Sequence, residues 1–303
     1  MIKRTLYFGN PAYLKTTQDQ LVFESATEPK EVRQVPIEDI GLVILDHQQI
    51  TITQALLAKL LENNVALVTC DGTHHPAGLF FNLDGHTLQS QKHQAQVEAS
   101  VPMKKQLWQQ TVSAKVANQA AVLGEQRKDP KYLLRIAASV KSGDSGNTEA
   151  TAAAYYWKRV FPEHLAFTRE RYGAPPNNLL NYGYAILRAM VARSLVGSGL
   201  LPTLGIHHRN QYNAFCLADD IMEPYRPYVD RMVCMILRES GMPLELTPAV
   251  KKELLSIATM DVHLEGKKSP LMNAVSRTTA SLARCYEGES RKILYPLLPQ
   301  PKP

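Results

Sequence analysis

The chain has 303 residues, 45% of them hydrophobic and 20% charged, which excludes a largely disordered chain and leaves room for one large domain or two modest ones. A formal net charge of +6 favours an anionic partner, with nucleic acid as the first candidate. Cys70, Cys216, Cys234 and Cys285 show no Cys-x-x-Cys spacing, Met1-Ile2-Lys3-Arg4 opens no secretory apolar core, and no apolar run is long enough to span a bilayer; a soluble, reduced, cytoplasmic protein is expected.

The first segment reads as strands. Thr5–Phe8, Gln20–Phe23 and Val32–Val35 are short and β-prone, with turn residues such as Asn10-Pro11 and Glu28-Pro29 between them. Ile40–Leu45 is a continuous apolar run and predicts a buried strand. Thr51 or Thr53 can cap a helix through Gln54–Leu61, Asn63-Asn64 can end it, and Val65–Cys70 returns as a strand. Asp71-Gly72-Thr73-His74-His75-Pro76 gathers an acid and two histidines, but Gly72 and Pro76 mark a turn, and the histidines read as exposed polar residues rather than a metal site. Between Asn82 and Gln94 the chain becomes polar, as a linker would.

From Val101 the period changes. Met103, Leu107, Val112, Val116, Ala120 and Leu123 recur at helical intervals, while Lys104, Lys105, Lys115 and Arg127 occupy other positions; these cations either track a phosphate backbone or solvate an outer face. Ser142–Gly146 interrupts the helix just before Glu149, which therefore enters near a helix N-terminus with Asn147 or Thr148 as its cap. Ala174-Pro175-Pro176-Asn177 leads into a helix through Leu195 that Gly197 and Gly199 end; Gly183 and Ala185 permit close packing, and Tyr182 and Tyr184 read as core filling. Thr247-Pro248 and Ser269-Pro270 each look like a cap followed by proline at the first helical position. Tyr295–Pro303 cannot be helical and predicts an extended tail, either disordered or docked on a partner. The fold class is therefore α+β: a small N-terminal β-rich domain, residues 1–86, followed by a larger all-α domain, residues 87–303.

Two stretches carry candidate chemistry. In the first, His207-His208 precedes an apolar turn, and Asp220 and Glu223 stand three residues apart, on one face of a helix. Imidazole plus carboxylate oxygens suits Mn²⁺ or Mg²⁺, and Cys216 has no thiolate companion for a zinc site. The same acids also fit an ordinary surface in which Arg226 pairs with Glu223 for about 0.2–0.5 kcal/mol. Pro224 ends or kinks the acidic helix, or else opens the next one. In the second stretch, Gly146-Asn147-Thr148-Glu149 opens a run of small residues that ends in Tyr155-Tyr156-Trp157.

Together these stretches resemble the large, catalytic subunit of the CRISPR adaptation integrase. Glu149 matches its glutamate before a small-residue and aromatic helix, Gly205-Ile206-His207-His208 its tetrapeptide ending in histidine, and Asp220, Glu223 and Arg226-Pro227 its acidic pair and following Arg-Pro. His207 departs from the apolar residue usual there. Asn177-Asn178-Leu179-Leu180-Asn181-Tyr182-Gly183-Tyr184 resembles a further family segment, and Met222-Glu223-Pro224-Tyr225-Arg226-Pro227 is most similar to the form found in type II systems.

The resemblance implies a metal-dependent endonuclease and integrase with Glu149, His208, Asp220 and Glu223 as its catalytic set. Glu149, His208 and Glu223 would ligate Mg²⁺ or Mn²⁺, and Asp220 would be either a fourth ligand or the group that orients one. It further implies double-stranded DNA as substrate, homodimers bridged by a small CRISPR-associated adaptation subunit, the RNA-guided effector as a further candidate partner, and a β-rich domain that makes the dimer contact. Trp157, Arg209 and Arg226 are the residues expected to touch DNA. No P-loop, Gly-x-Ser-x-Gly elbow or dinucleotide fingerprint is present, so ATP-driven and serine-hydrolase chemistry are set aside. The residues alone leave attack by a DNA 3′-hydroxyl and attack by water open; the resemblance favours strand transfer. The reading from another class is a non-catalytic basic DNA-binding scaffold whose acids are merely ion-paired.

Overall fold

Ile40–Leu45 (β5) is buried along almost its whole length because it has a parallel neighbour on each side, β1 (Arg4–Phe8) and β7 (Ala66–Cys70). A strand covered on both faces needs no polar alternation, which is why its sequence is uniformly apolar. The computed structural model describes residues 3–239 and 245–300. The chain divides into two compact units, Met1–Thr87 and Leu88–Pro303.

In the first unit β8 (Pro76–Phe80) adds antiparallel to β7, giving the order β1-β5-β7-β8. A second sheet has the order β4-β3-β2-β6, formed by β2 (Ala12–Thr17), β3 (Gln20–Ser25), β4 (Val32–Pro36) and β6 (Ile50–Ile52). Along β2, Ala12 and Leu14 are buried and Tyr13 and Lys15 exposed, the period-two pattern of a strand with one wet face. Helix α1 (Gln54–Glu62) is capped by Thr53, whose hydroxyl accepts from Leu56 N at 3.3 Å. Leu56 and Leu60 of α1 pack with Leu14, Leu21, Ile40, Val43 and Leu67 in one core.

The second unit is helical around α3 (Val101–Glu125), which starts at Ser100, whose hydroxyl accepts from Met103 N at 3.3 Å. Around it lie α2 (Gln89–Glu98), α4 (Lys131–Ser139), α5 (Thr148–Trp157), α6 (Asn177–Gly197), α7 (Cys216–Met222), α8 (Arg226–Glu239), α9 (Pro248–Leu255) and α10 (Leu271–Tyr286). Helix α6 is buried on nearly every side. At Gly183 a Cβ would stand 2.4 Å from Val229 Cγ1, so only glycine lets α8 pack this closely. Tyr182 and Tyr184 are core residues, as expected.

The order of a β-rich unit and then a helical one is as expected, but the second unit is not purely helical: β9 (Asp261–Leu264) and β10 (Lys267–Pro270) form an antiparallel hairpin turned by Glu265 and Gly266, both at positive φ. Ser269 lies in β10 rather than capping a helix and Pro270 precedes α10, whereas Thr247 does cap α9, accepting from Val250 N at 3.3 Å. The polar stretch taken as a linker contains the start of α2. It is held by polar anchors instead of an apolar stripe: Lys92 pairs with Glu287 at 2.8 Å, and Gln96 is buried.

The C-terminal segment, as far as Gln300, is extended but docks on its own chain; residues 301–303 of the expected tail lie outside the described residues. Ile293 and Leu298 are buried, Ile293 N donates to Gln110 Oε1 at 3.0 Å, and Thr111 Oγ1 and Tyr295 OH are 2.9 Å apart. Asn118 on α3, fully buried, clasps it: Nδ2 donates to Pro296 O at 3.1 Å and Oδ1 accepts from Leu298 N at 2.8 Å. A proline-rich strap lacks the N–H groups for a ladder, so side-chain amides on α3 supply the hydrogen bonds.

Candidate active site

Glu149 sits in the first turn of α5, and neither Asn147 nor Thr148 supplies the cap. The Asp144 carboxylate does, accepting from Thr148 N at 2.8 Å and Glu149 N at 2.9 Å, while Asn147 makes the left-handed step at φ 49°. A carboxylate facing these free N–H groups also opposes the helix dipole favourably.

The histidine pair lies on the loop between α6 and α7, and that loop is pinned from two sides. Buried Gln96 donates to Leu201 O at 3.0 Å and accepts from Leu201 N at 2.8 Å. Asp220, fully buried on α7, accepts from His207 N at 2.9 Å and lies 2.5 Å from His208 Nδ1. Gly205 makes that approach possible: a Cβ there would stand 2.3 Å from His208 O and 2.8 Å from Asp220 Oδ2. With Asp220 accepting at Nδ1, the imidazole keeps its lone pair on Nε2, the arrangement in which an outer carboxylate orients a metal-ligating histidine. The hydrogen bond to Asp220 raises the His208 pKa above the ordinary imidazole value, against the opposing effect of burial. Asp220 thus reads as the orienting group of the two roles weighed. His207 turns the other way, its ring stacked flat on buried Trp108 at 4.2 Å between centroids and 4° between planes.

Pro224 marks a change of helix. Helix α7 stops at Met222, a single 3₁₀ turn spans Glu223–Tyr225, and α8 follows from Arg226, so the two acids straddle a junction. The Pro224 carbonyl is not unpaired, as a broken helix end would leave it: Asn118 Nδ2 donates to it at 2.7 Å.

Between the two glutamates lies a cation that the sequence reading left undecided. Lys115 Nζ is 2.5 Å from Glu149 Oε1 and 2.5 Å from Glu223 Oε2, which puts those oxygens no more than twice that distance apart. Arg226 Nε is 3.0 Å from Glu223 Oε1, and its guanidinium lies 4.9 Å from the Tyr184 ring centroid. Burial works against the Glu223 charge, but Arg226 and Lys115 outweigh it and hold the carboxyl below its ordinary pKa. Burial likewise opposes the Lys115 charge, and Glu223 and Glu149 overcome it, so the ammonium titrates above its usual range. Lys115 was legible in principle, because it stands seven residues after Trp108 and three after Val112, both buried, on the inner face of α3.

Among the described residues no group of three or more His, Cys, Asp or Glu side chains is gathered as a ready cation cage. The ammonium holds the two carboxylates in its place. The donor types nonetheless suit a hard divalent ion: two carboxylates around one position already filled by positive charge, with an oriented imidazole within electrostatic reach of both. Glu223 Oε2 is buried and, although in ionic contact with Lys115, has no hydrogen bond of proper geometry.

Of the expected DNA contacts, Arg209 is exposed beside His208. Arg226 is engaged with Glu223 and Tyr184. Trp157 is about 12 Å along α5 from Glu149 at the usual helical rise, and it packs with Tyr156, Phe161 and Phe167. Sequence reasoning missed Asp144, Gln96 and Asn118, polar residues that act through backbone groups distant in sequence.

The strand-rich unit followed by the helical unit is a known architecture. A casposase bound to integration product superposes with a TM-score of 0.79 at 20% identity, over 97% of this chain and 92% of that one. A chain of a Cas6-RT-Cas1–Cas2 complex gives 0.72 at 19% identity, over 98% of this chain and 36% of that one. Those likenesses concern the fold. The family described as CRISPR associated protein Cas1 matches residues 6–245, and this chain belongs to it. The CRISPR-associated endonuclease Cas1 of Neisseria meningitidis serogroup C (strain 8013) is 38% identical over 296 residues, covering 97% of this chain and 95% of that protein. Among the described residues no helix is long and apolar enough to cross a membrane.

Proposed function

We propose that this chain is a metal-dependent DNA integrase that inserts new spacer DNA into a CRISPR array through attack of a DNA 3′-hydroxyl on a repeat phosphodiester. The observation that carries the reading is that Glu149 and Glu223, from separate parts of the helical unit, meet at one cation position while the Asp220-oriented His208 lies within electrostatic reach of both. Mg²⁺ or Mn²⁺ held by Glu149, His208 and Glu223 would supply Lewis-acid polarisation of the phosphodiester. The protein's own part is to keep these donors in register: Asp144 fixes the turn that presents Glu149, Asp220 holds the His208 tautomer, and Arg226 keeps Glu223 ionised. Exposed Arg209 beside His208 suits a phosphate contact. The casposase bound to integration product and the Cas6-RT-Cas1–Cas2 complex support DNA as substrate and a small adaptation subunit as partner; double-stranded DNA, a homodimer and the RNA-guided effector belong to this proposal through the family resemblance alone.

One observation favours a second reading, a non-catalytic DNA-binding scaffold: both glutamates are ion-paired, as acids with no ligand to hold would be. The two part at the metal. Glu149→Ala, His208→Ala and Glu223→Ala are each expected to abolish Mn²⁺-dependent joining of a labelled duplex to a supercoiled repeat target while duplex binding persists. Full joining by any one of them removes that residue from the site, and full joining by all three rejects the integrase centre drawn here.

A further inference from the structure

The position between Glu149 and Glu223 already has an occupant on this chain. Two carboxylates face two cations, Lys115 and Arg226, so the local formal charge is balanced without any ion, while Asp220 is engaged with His208. A divalent ion gains little from a balanced site, and it competes with an ammonium 2.5 Å from one oxygen of each glutamate. The two cations differ in freedom. Arg226 spreads its charge over a planar guanidinium that lies against the Tyr184 ring, whereas Lys115 carries a compact charge on a flexible four-carbon stem, donating to Glu149 Oε1 and standing in ionic contact with buried Glu223 Oε2. A compact charge set between two carboxylates is what a spherical ion would replace.

We infer that Lys115 is a built-in competitor for the divalent cation: its ammonium occupies the cation position when no metal is bound, metal enters by displacing it, and Lys115 thereby sets the metal affinity of the centre. This rests on the reading of Glu149 and Glu223 as metal ligands. Lys115 stabilises the metal-free arrangement by keeping buried Glu223 and half-buried Glu149 from facing each other unneutralised, and the same contacts must break before a metal can load.

The test is Mn²⁺ binding, read from the electron paramagnetic resonance signal of free Mn²⁺ at constant ionic strength, on wild type, Lys115→Met, Lys115→Arg and Glu149→Ala/Glu223→Ala. Lys115→Met removes the charge at similar length and should bind Mn²⁺ about tenfold more tightly or better. Metal-free Lys115→Met should also melt below metal-free wild type and gain more from saturating Mn²⁺. Lys115→Arg keeps the charge and should stay near wild type. In the wild-type protein, with no substitution to unfold it, reductive methylation of Lys115 followed by mass spectrometry should be slow without metal and accelerate on Mn²⁺ saturation. Affinity in Lys115→Met equal to or weaker than wild type, or Lys115 methylation unmoved by bound Mn²⁺, overturns the inference. Wild-type binding that Glu149→Ala/Glu223→Ala does not diminish instead overturns the ligand assignment beneath it, so the two failures are distinct.

Discussion

Asn118→Ala should destabilise the helical unit far more than removal of one amide suggests. Asn118 makes three hydrogen bonds in a fully buried position: Nδ2 to Pro224 O and to Pro296 O, and Oδ1 from Leu298 N. Each bond is worth about 1 kcal/mol net, and alanine leaves three buried backbone groups without partners, so the loss should reach about 3 kcal/mol or more. For a unit of this size that lowers Tm by about 6–12 °C. The perturbation also has internal structure, because two of the bonds reach the C-terminal strap and one reaches the turn that carries Glu223. In a chain truncated after Lys292 the strap bonds are already gone, and Asn118→Ala should cost only about 1 kcal/mol, leaving a coupling of about 2 kcal/mol between Asn118 and the strap. Urea denaturation followed by circular dichroism on the four proteins of this cycle measures it. An Asn118→Ala cost below about 1 kcal/mol in the full chain, or an equal cost in both backgrounds, would refute the account.

His208→Ala should abolish strand transfer, whereas His207→Ala should be much milder, losing a ring stack on Trp108 worth about 0.5–1.5 kcal/mol; if His207→Ala is the dead variant in paired kinetics, the histidine assignment is off by one. Asp230, buried beneath the hydroxyls of Tyr156 and Tyr184, has its carboxyl pushed up to about 6, chiefly by burial. A raised carboxyl favours the folded state while it stays protonated, so its contribution is present at acid pH and is lost as pH rises through about 6. Between pH 5 and 7 wild type should lose on the order of 1 kcal/mol relative to Asp230→Asn, and parallel stability curves for the two proteins would count against that shift.

Where a physical signal is local, the sequence sufficed. The apolar run Ile40–Leu45 predicted a buried strand, Thr247 and the Thr51–Thr53 stretch signalled their helices, and Gly183 marked a close helix crossing because a side chain has no room there. The spacing of Asp220 and Glu223 left a cation site and an ion-paired surface both open, and it was the resemblance to a known family, carried by Glu149, the Gly205–His208 tetrapeptide and the acidic pair, that chose between them. Tertiary structure decided which atom meets which. Helical periodicity set Lys115 off the apolar stripe of α3 and could not place it between two glutamates 34 and 108 residues away, and nothing in the prolines of the C-terminus said that Asn118 would hold them. Asp220 is bound to the histidine loop rather than ion-paired at a surface because the Gly205 turn brings the His207 and His208 amides onto its carboxylate. Charge pairing and side-chain capping act over a few ångströms in space, and only the packing of α3, α5 and the α7–α8 junction brings these residues that close.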